Sequence, residues 1–272
     1  MMKSSKSLSL IALCCATLFA SGVHAQELPQ EWVGAIREAP RPRDRMPATA
    51  MQYADIRRAA SDPDVRDYRA SDYAMLSAAR RGDWAAVSRL LKAGAQPNVR
   101  DVLGDSVLAR AASAGELNLV RALIAAGADV NRRGASGFTP LGGATLAGHH
   151  AVVALLLRAG ADVDVKSANG HVPLIDAVLM DRGEVIAELL RHRPDFLQYD
   201  RELGRHALSL AAYLGHIGVM DQLLAAGFDP NEIDRSGFNA LYWAVFRRQR
   251  LAVAHLLASG AEPGAMSTDI YD

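Results

Sequence analysis

Large apolar residues mark the same place in six successive segments of the chain. They recur every 33 or 34 residues, at Met75, Leu108, Leu141, Leu174, Leu208 and Leu241. Further apolar residues follow each of them at helical spacing, as at Val152, Val153 and Leu156, and predict short helices in every segment. Helices this short cannot bury their apolar sides alone, so we expect neighbouring segments to stack and share a core.

Two series of glycines repeat with the same period. One consists of Gly104, Gly137, Gly170, Gly204 and Gly237. The other consists of Gly-Ala pairs beginning at Gly94, Gly127, Gly160 and Gly260, with Gly227-Phe228 as a near match. Because three markers share one period, we predict an all-α repeat array with two helices and a turn in each segment.

The third segment shows how the helices should begin and end. Thr139 is suited to cap the first helix, and Pro140 to its first position, where the missing N–H costs nothing. Gly148-His149 should separate the two helices, and Gly160 should end the second one in a left-handed conformation.

These segments resemble the ankyrin repeat, whose signature is G-x-T-P-L-H-x-A-A-x-x-G-H followed by L-L-x-x-G-A-D-V-N. Matching stretches are Gly137 to Leu141, Ala111-Ala112, Ala211-Ala212, Gly148-His149, Gly215-His216, Gly127 to Asn131 and Gly160 to Val163. The resemblance implies an ankyrin-repeat solenoid of about six helix-turn-helix units over residues 71–264. A tetratricopeptide array would lack the Gly-Ala-Asp-Val-Asn turn.

Two segments depart from the pattern. The first has Tyr73-Ala74-Met75 where Thr-Pro-Leu is usual, and we interpret it as an N-terminal cap. The fourth has Arg193-Pro194 in place of Gly-Ala, and one additional residue precedes Leu208. A left-handed arginine costs about 1–2 kcal/mol, so we expect this turn to be rebuilt and locally irregular.

The N-terminal residues predict export. Lys3 and Lys6 precede a short apolar run, and Val23-His24-Ala25 provides a small-x-small cleavage site, so residues 1–25 are predicted to be a cleaved signal peptide. Leu13 before Cys14 does not suit a lipoprotein signal. We expect residues 26–70 to form an extension with a capping helix near 47–60, residues 265–272 to form a tail, and the protein to reside in the bacterial periplasm.

Charge and cysteine content exclude several classes of function. The chain carries 30 basic and 30 acidic residues, whereas nucleic-acid binders usually have a basic excess. The one basic run, Arg247-Arg248-Gln249-Arg250, is interpreted as a solvated helix end. Both cysteines lie in the predicted signal peptide, so the mature chain should have no disulfide, thiol nucleophile or thiolate-bound metal.

Catalytic and metal-binding patterns are not found in the sequence. There is no G-x-S-x-G, H-E-x-x-H, Walker or G-x-G-x-x-G motif. His149 and His216 occupy the Gly-His position, where the resemblance to ankyrin repeats implies that the histidine ring bonds to backbone. His206 should cap a helix. The acids beside the Gly-Ala turns, such as Asp162 and Asp229, should satisfy turn N–H groups. We therefore expect no metal, no cofactor and no catalysis.

The resemblance to ankyrin repeats implies that turn tips and the exposed sides of the first helices line a groove for a partner protein. Large apolar, aromatic and arginine side chains fall in these places, and such residues are enriched at binding hot spots. The candidate partner-binding residues are Phe138, His171, Met180, Arg205, Tyr213, Leu214, Phe238, Trp243, Phe246 and Arg247. For Trp243 an inward, core-packed side chain is almost as strongly indicated.

Three functions remain open at this point. The first is a monomeric periplasmic protein-interaction module that protects or assists an enzyme or neutralises a toxin. The second is a secreted effector that binds a host protein. The third is an enzyme on a repeat scaffold, which the short, polar N-terminal extension disfavours because it cannot form a second domain.

Overall fold

A computed structural model describes residues 68–101, 104–134, 137–167, 170–196, 198 and 204–263. The regular structure within these ranges consists of twelve α-helices, with no strand beyond a single bridge between Arg100 and Ser106. The predicted signal peptide, the capping helix near 47–60 and the tail at 265–272 lie outside the described residues. None of the twelve helices combines the length and apolar character needed to cross a bilayer.

The helices are short and come in six pairs, one pair for each predicted segment. Their bounds are α1 Ala70–Arg80, α2 Trp84–Lys92, α3 Val107–Ser113, α4 Leu117–Ala125, α5 Pro140–Ala147, α6 His150–Arg158, α7 Pro173–Leu179, α8 Gly183–Arg191, α9 Ala207–Leu214, α10 Ile217–Ala225, α11 Ala240–Phe246 and α12 Arg250–Ala258. The two helices of each pair pack against each other. This confirms the all-α pattern expected from the sequence.

The chain divides into two compact units, with the boundary between Asp129 and Val130. In the first unit, α3 packs on α1 and α4 on α2. In the second, the first helices α5, α7, α9 and α11 stack in order, and the second helices α6, α8, α10 and α12 stack beside them. The periodic apolar residues form the cores: Met75 and Leu108 in the first unit, and Leu141, Leu174, Leu208 and Leu241 in the second, are all buried.

Side-chain caps begin several first helices. The Thr139 hydroxyl accepts a hydrogen bond from the Gly142 N–H at 3.2 Å, and Pro140 is the first residue of α5. At the same position in the fifth repeat, the His206 ring accepts from the Ser209 N–H at 3.2 Å. Both predicted caps are confirmed, and they satisfy N–H groups that the helix itself leaves without acceptors.

The turns that end the helices use left-handed residues at fixed positions. Gly148 and Gly160 have φ angles of 82° and 89°. Asp181, Arg193 and Arg248 fill equivalent positions in other repeats and also have positive φ angles, of 52°, 51° and 58°. A Cβ atom makes this conformation unfavourable, so these three positions carry local backbone strain.

The expectation of a rebuilt turn at Arg193 is wrong. The Arg193 N–H donates to the Leu190 carbonyl at 3.1 Å, as the Gly160 N–H donates to Leu157 at 3.0 Å. Beyond it, α9 packs on α7 and α10 on α8, as in the neighbouring pairs. The repeat therefore keeps its left-handed turn residue and accepts the strain, because stacking on both sides fixes the position of the two helices. Pro194 has no N–H, so the turn lacks the second bond that the Ala161 N–H donates to the Leu156 carbonyl at 3.0 Å. Residues 199–203, next to the additional residue, lie outside the described part.

Asparagine and aspartate side chains connect successive outer turns. In the second unit, the Asn131 amide donates to the Gly160 carbonyl at 3.0 Å and its oxygen accepts from the Asp162 N–H at 2.8 Å. Asp164 takes the same place in the next turn and accepts from the Asp195 N–H at 3.0 Å. The carboxylates of Asp162 and Asp229 accept from the Asp164 and Asn231 N–H groups at 3.0 and 2.8 Å, which confirms the structural role predicted for them.

Candidate partner-binding surface

The turn tips are tight backbone loops that precede the first helices. In the last repeat, the Asp234 N–H donates to the Phe238 carbonyl and the Gly237 N–H to the Asp234 carbonyl, both at 2.9 Å. The fourth repeat forms the same loop, with the Ser167 N–H donating to His171 at 2.8 Å. These loops fix the residue after the glycine, such as His171 or Phe238, at the base of its first helix.

One position in the first helix reaches back to the tip and holds it. In the second repeat Arg110 forms an ion pair with Asp101 at 2.5 Å. In the fourth repeat the equivalent residue, Asp176, bonds to the His171 ring at 3.1 Å. In the last repeat it is Trp243, whose indole N–H donates to the Asp234 carboxylate at 2.5 Å. The tips are therefore supported by polar contacts that differ from repeat to repeat.

Aromatic rings concentrate on the first helices of the last two repeats. Phe238, in the tip loop before α11, stacks on Tyr242 with ring centroids 3.8 Å apart, and Tyr242 stacks on Phe246 at 6.2 Å. Trp243 meets Phe238, Tyr242 and Phe246 edge to face, at 5.8, 5.2 and 5.8 Å. Tyr213 of α9 contacts Trp243 in the same way, at 6.0 Å. We call these five rings the aromatic cluster.

Two arginines lie against this cluster. The Arg205 guanidinium is 3.6 Å from the Tyr213 ring centroid and 4.0 Å from that of Trp243. Arg247 approaches the Tyr213 ring at 4.5 Å. Cations over aromatic faces are attracted by the ring quadrupole, more strongly where water is excluded. Six of the ten predicted partner-binding residues are thus brought into one contiguous group: Arg205, Tyr213, Phe238, Trp243, Phe246 and Arg247.

The structure corrects the exposure expected for Arg205. Arg205 is only 4% exposed, although its position at the turn tip predicted an exposed side chain. Burial follows from the two rings that enclose the guanidinium. Trp243 is also buried, at 9%, and therefore takes the inward alternative that the sequence had left open. Both residues are buried and pack against the more exposed rings of the aromatic cluster. Their role in partner binding stays a prediction.

The exposed part of the cluster is at the end of α11. Phe246 is 61% exposed, Val245 beside it is 57% exposed, and Arg247 is exposed as well. Tyr213 and Phe238 are half-buried, so they present only part of each ring. The accessible apolar surface is therefore centred on Phe246.

The other four predicted residues lie along the same series of first helices. Phe138 is half-buried at the third tip, where a Cβ on Gly142 would lie 3.3 Å from its ring. His171 is half-buried at the fourth tip and bonded to Asp176. Met180 and Leu214, at the ends of α7 and α9, are also half-buried. Each has a partly accessible side chain, and their contact with a partner stays a prediction.

Sequence reasoning missed three residues that form or support this surface, namely Tyr242, Asp234 and Val245, and it interpreted Arg248 only as part of a solvated helix end. The spacing of Phe238, Tyr242 and Phe246 by four residues was a signal for Tyr242, because such residues lie on one side of a helix. Asp234 gave no comparable signal, since its importance comes from the Trp243 indole that points at it. The Val245 position is buried in earlier repeats, as at Ala212, and becomes accessible only on the last described repeat.

The charge of this region is one-sided. Residues 235–261 contain four arginines and no acidic residue, whereas the whole chain is balanced. The expectation of a solvated basic run is confirmed for Arg247, Arg248 and Arg250, which are exposed. Phe246 and Val245 therefore expose apolar surface next to three exposed arginines in the chain.

Buried titratable groups elsewhere have structural roles. Burial lowers the pKa of His206, although its bond to the Glu232 carbonyl at 3.0 Å acts in the opposite direction. Burial raises the pKa of Asp176, an effect that the His171 bond partly offsets. The His216 ring donates to the Val178 carbonyl at 3.1 Å, which confirms its predicted bond to backbone. Across the described ranges, no three His, Cys, Asp or Glu side chains are grouped to hold a metal.

Comparison with known proteins agrees with the repeat pattern. The profile of the family described as "Ankyrin repeats (3 copies)" matches residues 74–167 and 174–267, which together exceed half of the chain. A stretch of 66 residues is 33% identical to part of the "Calmodulin-binding transcription activator CBT" of Oryza sativa subsp. japonica. That stretch is 24% of this chain and spans only 7% of the rice protein.

Proposed function

Because this chain belongs to the ankyrin-repeat family, we propose that it is an exported interaction module that holds a partner protein in the bacterial periplasm. Ankyrin repeats generally mediate protein–protein interaction. Proteins of the family are typically non-enzymatic binding modules, and the proposal assigns no catalytic residue.

The observation that carries the proposal is the exposed aromatic and cationic surface on α11. Phe246 and Val245 expose adjacent apolar surface beside Arg247, and contiguous exposed apolar surface of this kind marks interaction sites. Aromatic and arginine side chains are also the residues that dominate binding energy when a partner covers them. We therefore place the energetic centre of partner binding at Phe246, with Tyr213 and Arg247 at its edge.

The periplasmic location rests on the sequence of residues 1–25. A positive start, a short apolar run and a small-x-small site are the features of a cleaved signal. Within that compartment, two roles suit a catalytically silent binding module. It protects or assists an enzyme, or it neutralises a toxin.

Site-specific photocrosslinking tests the binding surface. Benzoylphenylalanine is introduced in place of Phe246, and, as a matched control, in place of Arg158, an exposed residue of α6. Irradiation of cells producing the full sequence should give a discrete crosslinked species from position 246 and none from position 158. Equal labelling from both positions, or none from 246, would contradict the proposal.

Cell fractionation and N-terminal sequencing test the location. The mature protein should appear in the periplasmic fraction and begin at Gln26. A protein that retains Lys3 and Lys6, or that stays with the cytoplasm, would contradict export. Mature protein mainly in the culture medium would favour the secreted effector instead.

A further inference from the structure

The exposed arginines next to Phe246 indicate the charge of the partner that binds there. Arg247, Arg248 and Arg250 follow Phe246 directly, and all three are exposed. No acid occurs between residues 235 and 261, and the nearby Asp234 is buried beneath Trp243. Charges arranged in this way favour partners of opposite sign, both in the encounter and in the bound state.

The apolar part of the same surface requires more than a charged ligand. Phe246 and Val245 leave most of their side chains accessible, at 61% and 57%. An ion alone would leave these groups in contact with water, whereas an aliphatic or aromatic side chain would cover them. The Tyr242 ring stacks on the Phe246 ring, and the Phe238 ring in turn stacks on Tyr242.

The backbone at Arg248 gives independent support. Four of the six repeats place glycine at this turn, namely Gly82, Gly115, Gly148 and Gly215, all at positive φ. Arg248 adopts the same conformation with a φ of 58°. A strained residue that persists where glycine would serve is a reason to look for function. Here the strained residue is an exposed arginine that follows Phe246 and Arg247 directly in the chain.

We propose that this surface binds an acidic segment of a partner polypeptide, with one apolar side chain against Phe246 and Val245 and carboxylates near Arg247 and Arg248. The inference rests on the proposed function and specifies the partner's chemistry. It separates this surface from the other described first helices: Arg80 and Arg81 at the end of α1 are also exposed, but no exposed phenylalanine precedes them.

Fluorescence anisotropy with two synthetic peptides tests the inference. In the first peptide, glutamates and aspartates flank a central Leu-Phe pair; in the second, lysines replace the acids. The acidic peptide should bind the purified full-length product, and rising salt should weaken the binding because exposed charges are screened. Loss of an exposed charge is a small effect, so Arg248→Gly should weaken binding about threefold. Loss of a central apolar contact is larger, so Phe246→Ala should weaken it about tenfold.

Arg193→Gly is the matched control. It removes the same charge from the same backbone conformation, at a turn in the fourth repeat instead of beside Phe246. Both glycine variants should melt at a higher temperature than the parent protein, because glycine removes the strain. Only Arg248→Gly should lose affinity for the acidic peptide. A variant that is more stable and binds less well cannot owe its weaker binding to unfolding.

Several results would overturn the inference. An acidic ligand would be rejected if the two peptides bind equally well or if neither binds. It would also be rejected if the two glycine variants weaken binding equally. A concentration-dependent dimer in light scattering that Phe246→Ala abolishes would assign the surface to a second copy of the chain. Binding that appears only after deletion of residues 264–272 would assign it to the chain's own tail. Each outcome is separate from the photocrosslinking result, since a partner could still be captured at position 246.

Discussion

The indole N–H of Trp243 donates a hydrogen bond to the carboxylate of Asp234 across 2.5 Å, and both residues are buried. The same carboxylate accepts from the backbone N–H groups of Ser236 and Phe238, at 2.8 and 3.3 Å. Asp234 thus joins the tip loop of the last repeat to the helix that carries the aromatic cluster.

Replacing Asp234 with alanine should lower the free energy of unfolding by about 2–4 kcal/mol, because one buried and two part-buried donors lose their acceptor. Trp243→Phe removes only one of these bonds but also reduces ring volume. Urea unfolding of both single variants and the double variant forms a cycle that isolates the contact. Additivity within about 0.5 kcal/mol would show that the indole bond contributes nothing of its own.

Asp181→Gly should raise the free energy of unfolding by about 1 kcal/mol, because Asp181 has a φ of 52° in a position suited to glycine. Its 3.9 Å contact with His216 is mostly solvent-exposed on the aspartate side, so little is lost with it. Gly148→Ala is the opposite change at the equivalent turn. It should destabilise the fold, since φ is 82° there and a Cβ would lie 3.1 Å from Arg182 side-chain atoms. In urea unfolding, the midpoint should rise for Asp181→Gly and fall for Gly148→Ala. Any other pair of directions would refute the assignment of strain.

Stability should fall as the pH decreases through about 6.5, the ordinary histidine value, with His206 as a contributor. Burial lowers the pKa of His206 in the folded protein, so the unfolded chain binds the proton first and is favoured on acidification. The loss of stability that His206 causes should be complete once the pH is below the pKa that His206 has in the folded protein. His206→Thr keeps a capping hydroxyl of the kind seen at Thr139 but cannot titrate. The variant's unfolding free energy should therefore depend less steeply on pH, and an unchanged slope would exclude a role for His206.

Phe246→Ala should change thermal stability little, because the ring is 61% exposed. Tyr213→Ala should be more costly, by about 1–3 kcal/mol, since it leaves the buried Arg205 guanidinium with only the Trp243 ring of the two that it now contacts. Partner binding, in contrast, should suffer strongly from Phe246→Ala. Melting temperatures and affinity for the acidic peptide in fluorescence anisotropy, measured on the same preparations, separate the two roles. Strong destabilisation by Phe246→Ala would place that residue in the core.

Several turn features were readable from the sequence because each depends on a single residue type. Thr139 and His206 cap their helices through side-chain atoms that bond three residues ahead, and this chemistry is local. Arg193 shows the limit of such reasoning. Local conformational cost argued for a rebuilt turn, whereas packing of the flanking helices outweighed about 1–2 kcal/mol of strain.

The sequence by itself determined the repeat. The period of its glycines and leucines specifies where helices begin, where they end and which side is apolar, because these properties depend on residues close together in the chain. Only the tertiary structure decided which of the large side chains are accessible. Arg205 and Trp243 are buried and Phe246 is open because rings from neighbouring first helices enclose the first two, while nothing described packs over the third. The difference in exposure depends on contacts between residues about one repeat apart in the chain. A local sequence pattern does not specify how their side chains are oriented.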